Sequence, residues 1–397
     1  MAKTLLERFV AQLNANIFFA EFAFASTELR VPGTGSLEIA DHLVIIDDFG
    51  LIFQLKERDK DASVAPSDLT SWFANKVQKK AVAQIRETRR LIVAHKGAIL
   101  TNQRGHEVML TEPDPAKCPA IAIFDAPHVA DFDPPLFHIS RSAGFIHFVR
   151  ANDYLGACQY LITPTEVLDY LSFRERKLRQ LPLGKVSITE QALVGQFMGG
   201  ELDDHPHKKY EGVFNALIDD RGEWDISFIT ENFGDKITYS VGDSSPTKHY
   251  RILTELAKLT RVELKAFKER FRLALEAVRE DRFTLPYRFA VPRTNCGFLI
   301  LPVPSDVSDK ARVALTNSST ASKYDFAVTR HVSLSIVRKT PYLDIEWMFM
   351  EGENAKNAEI EAYLATAPFR RTREKEEPRY RFDSDILGRE LRVREGG

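Results

Sequence analysis

The sequence predicts an α/β protein, with a mixed β-sheet core flanked by helices in its first half and an α+β domain after it. Three observations predict this. Up to about Val149, helical spacing alternates with short apolar strand patterns. A Leu181-Pro182-Leu183-Gly184 break then divides the chain into 1–182 and 183–397. Beyond it, long helical segments come first and strands follow. The 397 residues suffice for two or three domains with sizeable cores.

In chain order, Thr4 is placed to cap a helix carrying Leu5, Leu6, Phe9, Val10 and Leu13 at helical spacing. Ile17 to Phe24 is aromatic and alternating enough to be a strand, with Glu21 as its one charge. Pro32 to Ser36 is a loop. Leu37 to Arg58 then reads as two strands around a turn. Leu43-Val44-Ile45-Ile46 and Leu51-Ile52-Phe53 are the apolar runs, and Asp47-Asp48-Phe49-Gly50 supplies the turn chemistry.

A charged loop leads to a long helix, capped by Ser67 or Asp68 and running to about His95, with Phe73, Val77, Ala81, Ile85 and Ile92 as its apolar stripe. Strand-like pieces follow at Ala98–Leu100, Val108–Leu110, Ala120–Phe124 and Phe145–Val149. Pro164 opens a helix to Gln180, whose Arg174, Arg176, Lys177 and Arg179 offset its dipole. Past the break, Thr189 to Met198 and Tyr250 to about Asp281 are helical. Tyr287–Pro292, Gly297–Val303, Val332–Val337 and Leu343–Met350 are strands.

Composition narrows the function. With 54 basic and 56 acidic residues the formal net charge is −2, so nucleic-acid binding has to use local patches. Three dispersed cysteines, Cys118, Cys158 and Cys296, argue against a disulfide framework or a zinc site and for a reducing compartment. No apolar run approaches membrane-spanning length, so the expected location is the cytoplasm. The Asp- and His-bearing stretches 125–138 and 203–207 lack metal-ligand spacing and read as exposed loops. Asp344 and Glu346 read as the solvent face of a strand.

The polar decoration of the Leu37–Arg58 hairpin is the chemical signal. Asp41 opens the first strand, while Gln54 and Lys56, two apart on the second, point to one face. In register, a carboxylate, an amide oxygen and an ammonium can meet at the strand ends. The carboxylate can hold a divalent ion, the amide and the Leu55 carbonyl can add neutral oxygens, and the lysine can orient or activate a water.

Asp41 followed by Gln54-Leu55-Lys56 resembles the PD-(D/E)XK nuclease superfamily, most closely its Mrr-like members, in which Gln replaces the usual acid of the second motif. The resemblance implies a restriction-endonuclease-like core in the first domain and metal-dependent hydrolysis of DNA, in a setting of restriction or phage defence. Asp41, Gln54 and the Leu55 carbonyl would hold Mg²⁺, or Mn²⁺ in its place, and Lys56 would act on the attacking water. Glu21 would suit a second acid near the metal, or it faces solvent or pairs with an arginine. Nuclease cores of this type place a helix after the third strand, and its polar residues approach the phosphate or the metal-bound water. Gln84 is the candidate here, with Lys76, Lys80 and Arg86 for the DNA backbone.

Two other readings stand beside an active nuclease. One is a catalytically inactive nuclease fold that binds nucleic acid. The other is an assembly module acting through a partner protein or through homo-oligomers of the C-terminal domain.

Overall fold

Thr4 and Glu7 close a capping box on α1 (Leu5–Ile17): the Glu7 N–H donates to Thr4 Oγ1 at 3.1 Å, and the Thr4 N–H to Glu7 Oε2 at 3.0 Å. The chain then reverses before β1 (Ala23–Val31), because the Phe18 N–H still bonds Asn14 O and Phe19 takes a φ of 62°. Residues 17–22, strand-like in sequence, therefore end the helix and form a turn. The computed structural model describes residues 4–31, 35–59, 61–95, 97–110, 118–129, 131–181, 188–199, 205–213, 247–339, 341–354, 357–366 and 368–370, with the backbone path alone for 26–31, 35–38 and 213.

The chain divides into two compact units, Met1–Ile218 with Arg381–Gly397, and Asp219–Tyr380. In the first, β2 (Gly35–Ile46) and β3 (Phe49–Glu57) complete an antiparallel meander with β1. An eight-stranded mixed sheet grows around it in the order β5-β4-β1-β2-β3-β6-β8-β7. Its further strands are β4 (Ile99–Thr101), β5 (Glu107–Met109), β6 (Ala120–Asp125), β7 (Phe137–Ser140) and β8 (Gly144–Arg150). β3, β6 and β8 run parallel, which puts their C-terminal ends along one side of the sheet.

One face of the sheet is covered by a continuous helical rod: α2 (Pro66–Trp72), a π-helical turn (Phe73–Lys79) and α3 (Lys80–Ala94). Its N-cap is Ala65, not Ser67 or Asp68, because Pro66 at the first helical position needs no amide partner. The π turn follows from the sequence. Leu69, Phe73, Val77, Ala81 and Ile85 recur at steps of four, which drift by about 40° each at the α-helical pitch of about 3.6 residues. A wider turn removes that drift, and all five side chains stay in the core. Phe73 anchors the rod edge-on between Phe124 and Phe148, ring centroids 5.2 Å from each. α1 and α4 (Ala151–Tyr160) lie on the opposite face.

The first unit continues past 182. α5 (Pro164–Arg179) and α6 (Glu190–Met198) are joined by an ion pair between Arg174 and Glu190, Nε–Oε1 2.9 Å, inside the unit. The Pro182–Gly184 part of the break lies outside the described residues. Arg174 does not serve as an exposed dipole partner: it is fully buried.

The second unit has a four-stranded sheet in the order β12-β11-β10-β9. α7 (Tyr250–Ala257) and α8 (Arg261–Arg279) precede β9 (Tyr287–Val291) and β10 (Cys296–Val303). α9 (Ala311–Asp325) carries the chain to β11 (Arg330–Lys339), parallel to β10, and β12 (Tyr342–Glu351) and α10 (Ala358–Ala365) follow. Among the described residues no helix is long and apolar enough to cross a membrane.

Candidate active site

The site is set by a turn. Only Asp47 and Asp48 separate β2 from β3, with Asp47 at φ 54°, and a two-residue turn pins the hairpin register. Ile46 faces Phe49 and, four steps on, His42 faces Phe53. One residue beyond the end of this ladder come Asp41 and Gln54. Strand alternation puts Asp41, Gln54 and Lys56 on the face of Leu43 and Ile52, the one beneath the helical rod.

There the polar groups converge. The Lys56 ammonium lies 3.3 Å from Asp41 Oδ2, 3.5 Å from Gln54 Oε1 and 2.9 Å from the Leu55 carbonyl oxygen. The Leu55 N–H donates to the same Asp41 oxygen at 2.7 Å, fixing the carboxylate against β3. The Lys56 and Asp41 side chains are only 12% and 16% exposed, so the pair is drier than a surface salt bridge. Burial pushes the Lys56 pKa down from its ordinary value; the charge of Asp41 opposes that, and the charge of Lys80 adds to it.

The opposite face holds the hairpin in place. His42 is fully buried, its Nδ1 3.4 Å from Asn14 Nδ2 and its Nε2 3.2 Å from Gln103 Nε2, while Tyr154 donates to Asn14 Oδ1 at 2.7 Å. Burial lowers the His42 pKa to about 3, so the ring is neutral. Glu57, on this face, accepts from the Leu6 N–H at 3.3 Å and ties the start of α1 to β3. The one sequence signal for these anchors is that both residues immediately flank the motif.

The helical rod contributes unevenly. Lys76, Lys79 and Lys80 are exposed and line one groove with Asn75 and Ala83, and Lys80 is close enough to bear on Lys56. Gln84 lies on the stripe between Lys80 and Thr88, whose hydroxyl donates to Ile39 O on β2. Its buried Oε1 has no hydrogen-bond partner among the described residues. Arg86, though exposed, is about 120° around the helix from Lys80 and off this stripe. Arg89 and Arg90, the other arginines of α3, are engaged elsewhere. Arg89 donates to Ala143 O at 2.8 Å and Cys118 O at 2.9 Å, and Arg90 pairs with Glu87. Lys96 lies outside the described residues.

Glu21 does not join the site. Ala23 faces Val44 and Ala25 faces His42, so Glu21 lies near the turn end of the hairpin, away from Asp41. It is buried, and Arg104 Nε pairs with its Oε1 at 3.0 Å. Gln54, Leu55 and Asp41 offer one carboxylate and two neutral oxygens. Among the described residues no cluster of three or more His, Cys, Asp or Glu side chains forms a metal site. Comparison with family models, with curated proteins and with solved structures gives no match for this chain.

Proposed function

We propose that the protein is a metal-dependent nuclease of the cytoplasm that hydrolyses DNA phosphodiester bonds, with a restriction-endonuclease-like core in its first unit. One observation carries the reading: three oxygens, from Asp41, Gln54 and Leu55, converge on a single cation, the Lys56 ammonium. A constellation that gathers oxygens around one positive centre has the donor chemistry of a hard divalent ion. The helix, the strand and hairpin after it, and the helix that follows the third strand come in the order that the motif resemblance implies.

Asp41, Gln54 and the Leu55 carbonyl would hold Mg²⁺, or Mn²⁺ in its place. The bound ion would supply an acidified water and positive charge for the phosphate. Asp41 brings the one negative charge, and its bond from the Leu55 N–H fixes its orientation. Lys56 steadies charge on the phosphate and holds the attacking water, which needs a cation free to move at the strand end. Gln84, with a buried oxygen lacking a partner among the described residues, is suited to accept from that water. Lys76, Lys79 and Lys80 carry the DNA backbone past the site. The second unit selects substrate, binds a partner or mediates assembly, and a restriction or phage-defence setting suits such an enzyme.

The single carboxylate favours a second reading, an inactive nuclease fold that binds DNA through the same lysines without cutting it. Incubating the purified protein with plasmid and linear DNA in Mg²⁺, Mn²⁺ or EDTA separates the two. Metal-dependent cleavage lost in Asp41→Ala supports the enzyme, and salt-sensitive binding with no cleavage in either metal supports the binding module.

A further inference from the structure

We propose that Lys56 is the resident cation of this site: its ammonium holds the three oxygens together in the metal-free protein, and a divalent ion enters only by displacing it. The proposal rests on the metal-site reading above and adds how that site is regulated.

The stoichiometry of the contacts is the argument. An ammonium has three N–H donors, and three oxygens surround this one, Asp41 Oδ2, Gln54 Oε1 and Leu55 O. These are the oxygens assigned to the ion, so both cations cannot occupy the same centre. The charges agree. Asp41 is already neutralised by Lys56, and the opposed fields of Lys80 and Glu7 add no clear negative surplus, so a divalent ion would meet a site with little net attraction until the ammonium leaves. A flexible four-carbon stem lets the head group swing out while the methylenes stay packed.

Two consequences follow. Without metal, Lys56 is sequestered and the site is inert yet ordered, since Asp41 and Gln54 keep a partner. With metal, the displaced ammonium becomes available to the phosphate, so metal entry and arming of the lysine are one event. Ammonium and metal are therefore coupled competitors, and removing one strengthens binding of the other.

The test is Mn²⁺ titration calorimetry on the full chain as wild type, Lys56→Met, Lys56→Arg and Asp41→Asn, with folding checked by circular dichroism. Lys56→Met keeps the stem and removes the charge, so it should bind Mn²⁺ about tenfold more tightly or better. Lys56→Arg keeps the charge and should bind no more tightly than wild type. Lys56→Gln replaces the Met variant should that fail to fold. Detectable binding only in the neutral variants also supports the proposal. Wild-type binding that depends on Asp41 but is unchanged or weakened in the neutral variants overturns it and leaves the metal site standing. If no form binds Mn²⁺, or Asp41→Asn binds as wild type does, the metal-site reading itself fails and the proposal with it.

Discussion

Glu190 accepts from Arg174 across sixteen residues of chain, Nε–Oε1 2.9 Å and Nη2–Oε2 3.0 Å, and both side chains are buried. The remaining guanidinium donors reach Leu136 O, His147 Nδ1 and Phe148 O, so every N–H of Arg174 is used. One ion pair thus binds α5 and α6 to the strand end at β7 and β8.

Arg174→Met should cost about 3–5 kcal/mol of stability in the first unit, because Glu190 is left buried without its cation. Pairing it with Glu190→Leu should recover much of that loss. Urea denaturation followed by circular dichroism reads both, and equal loss in the single and double variants would show that packing, not charge, dominates there.

Lys56→Ala and Asp41→Ala should each lower DNA cleavage by about 10²-fold or more while the far-ultraviolet circular dichroism stays native. Gln54→Glu adds a second carboxylate, so it should retain some cleavage and require less metal. Rates over a metal titration, in preparations shown free of contaminating nuclease, measure all three.

Exchanging Lys76 and Lys80 together for Gln should weaken DNA binding on any sequence and reduce the slope of log affinity against log salt by about 2. Arg86→Gln, off the stripe, should change the slope less. Fluorescence anisotropy at several salt concentrations in EDTA gives the comparison.

Acid should destabilise the first unit from near pH 6.5 downward. His42, with a folded pKa of about 3, and His147, held well below its ordinary value by burial and by the Arg174 charge, are both neutral when folded. On acidification the unfolded chain takes up protons first. Their contribution is complete above about pH 6.5 and is lost as pH falls towards the folded pKa, at up to about 1.4 kcal/mol per pH unit for each ring. His42→Gln should flatten this dependence even if it lowers stability at neutral pH. Urea midpoints from pH 4 to 8 test it, and an unchanged slope would remove His42 from the account.

The hairpin and its motif were legible in the sequence because both are local. Apolar runs of four and three residues, a turn rich in aspartate and the two-residue spacing of Gln54 and Lys56 depend on chain geometry alone. The long helix and the strands flanking α9 were legible for the same reason, as periodic apolar patterns. α9 itself was not. It buries Ser318, Ser319 and Ser322, with Ser322 bonded to His331 of the β11 strand it packs on, so its core face carries little hydrophobic signal.

Only the tertiary structure decided the rest. It put Glu21 on Arg104 rather than near Asp41, turned Arg174 inward and carried the first unit past Pro182. It also separated Arg89 and Arg90 from the basic stripe that Lys76 and Lys80 retain. Each of these outcomes depends on which distant group meets a charge, and sequence spacing holds no record of that. A carboxylate or guanidinium becomes catalytic, structural or solvated according to the partners and burial that the assembled sheet provides.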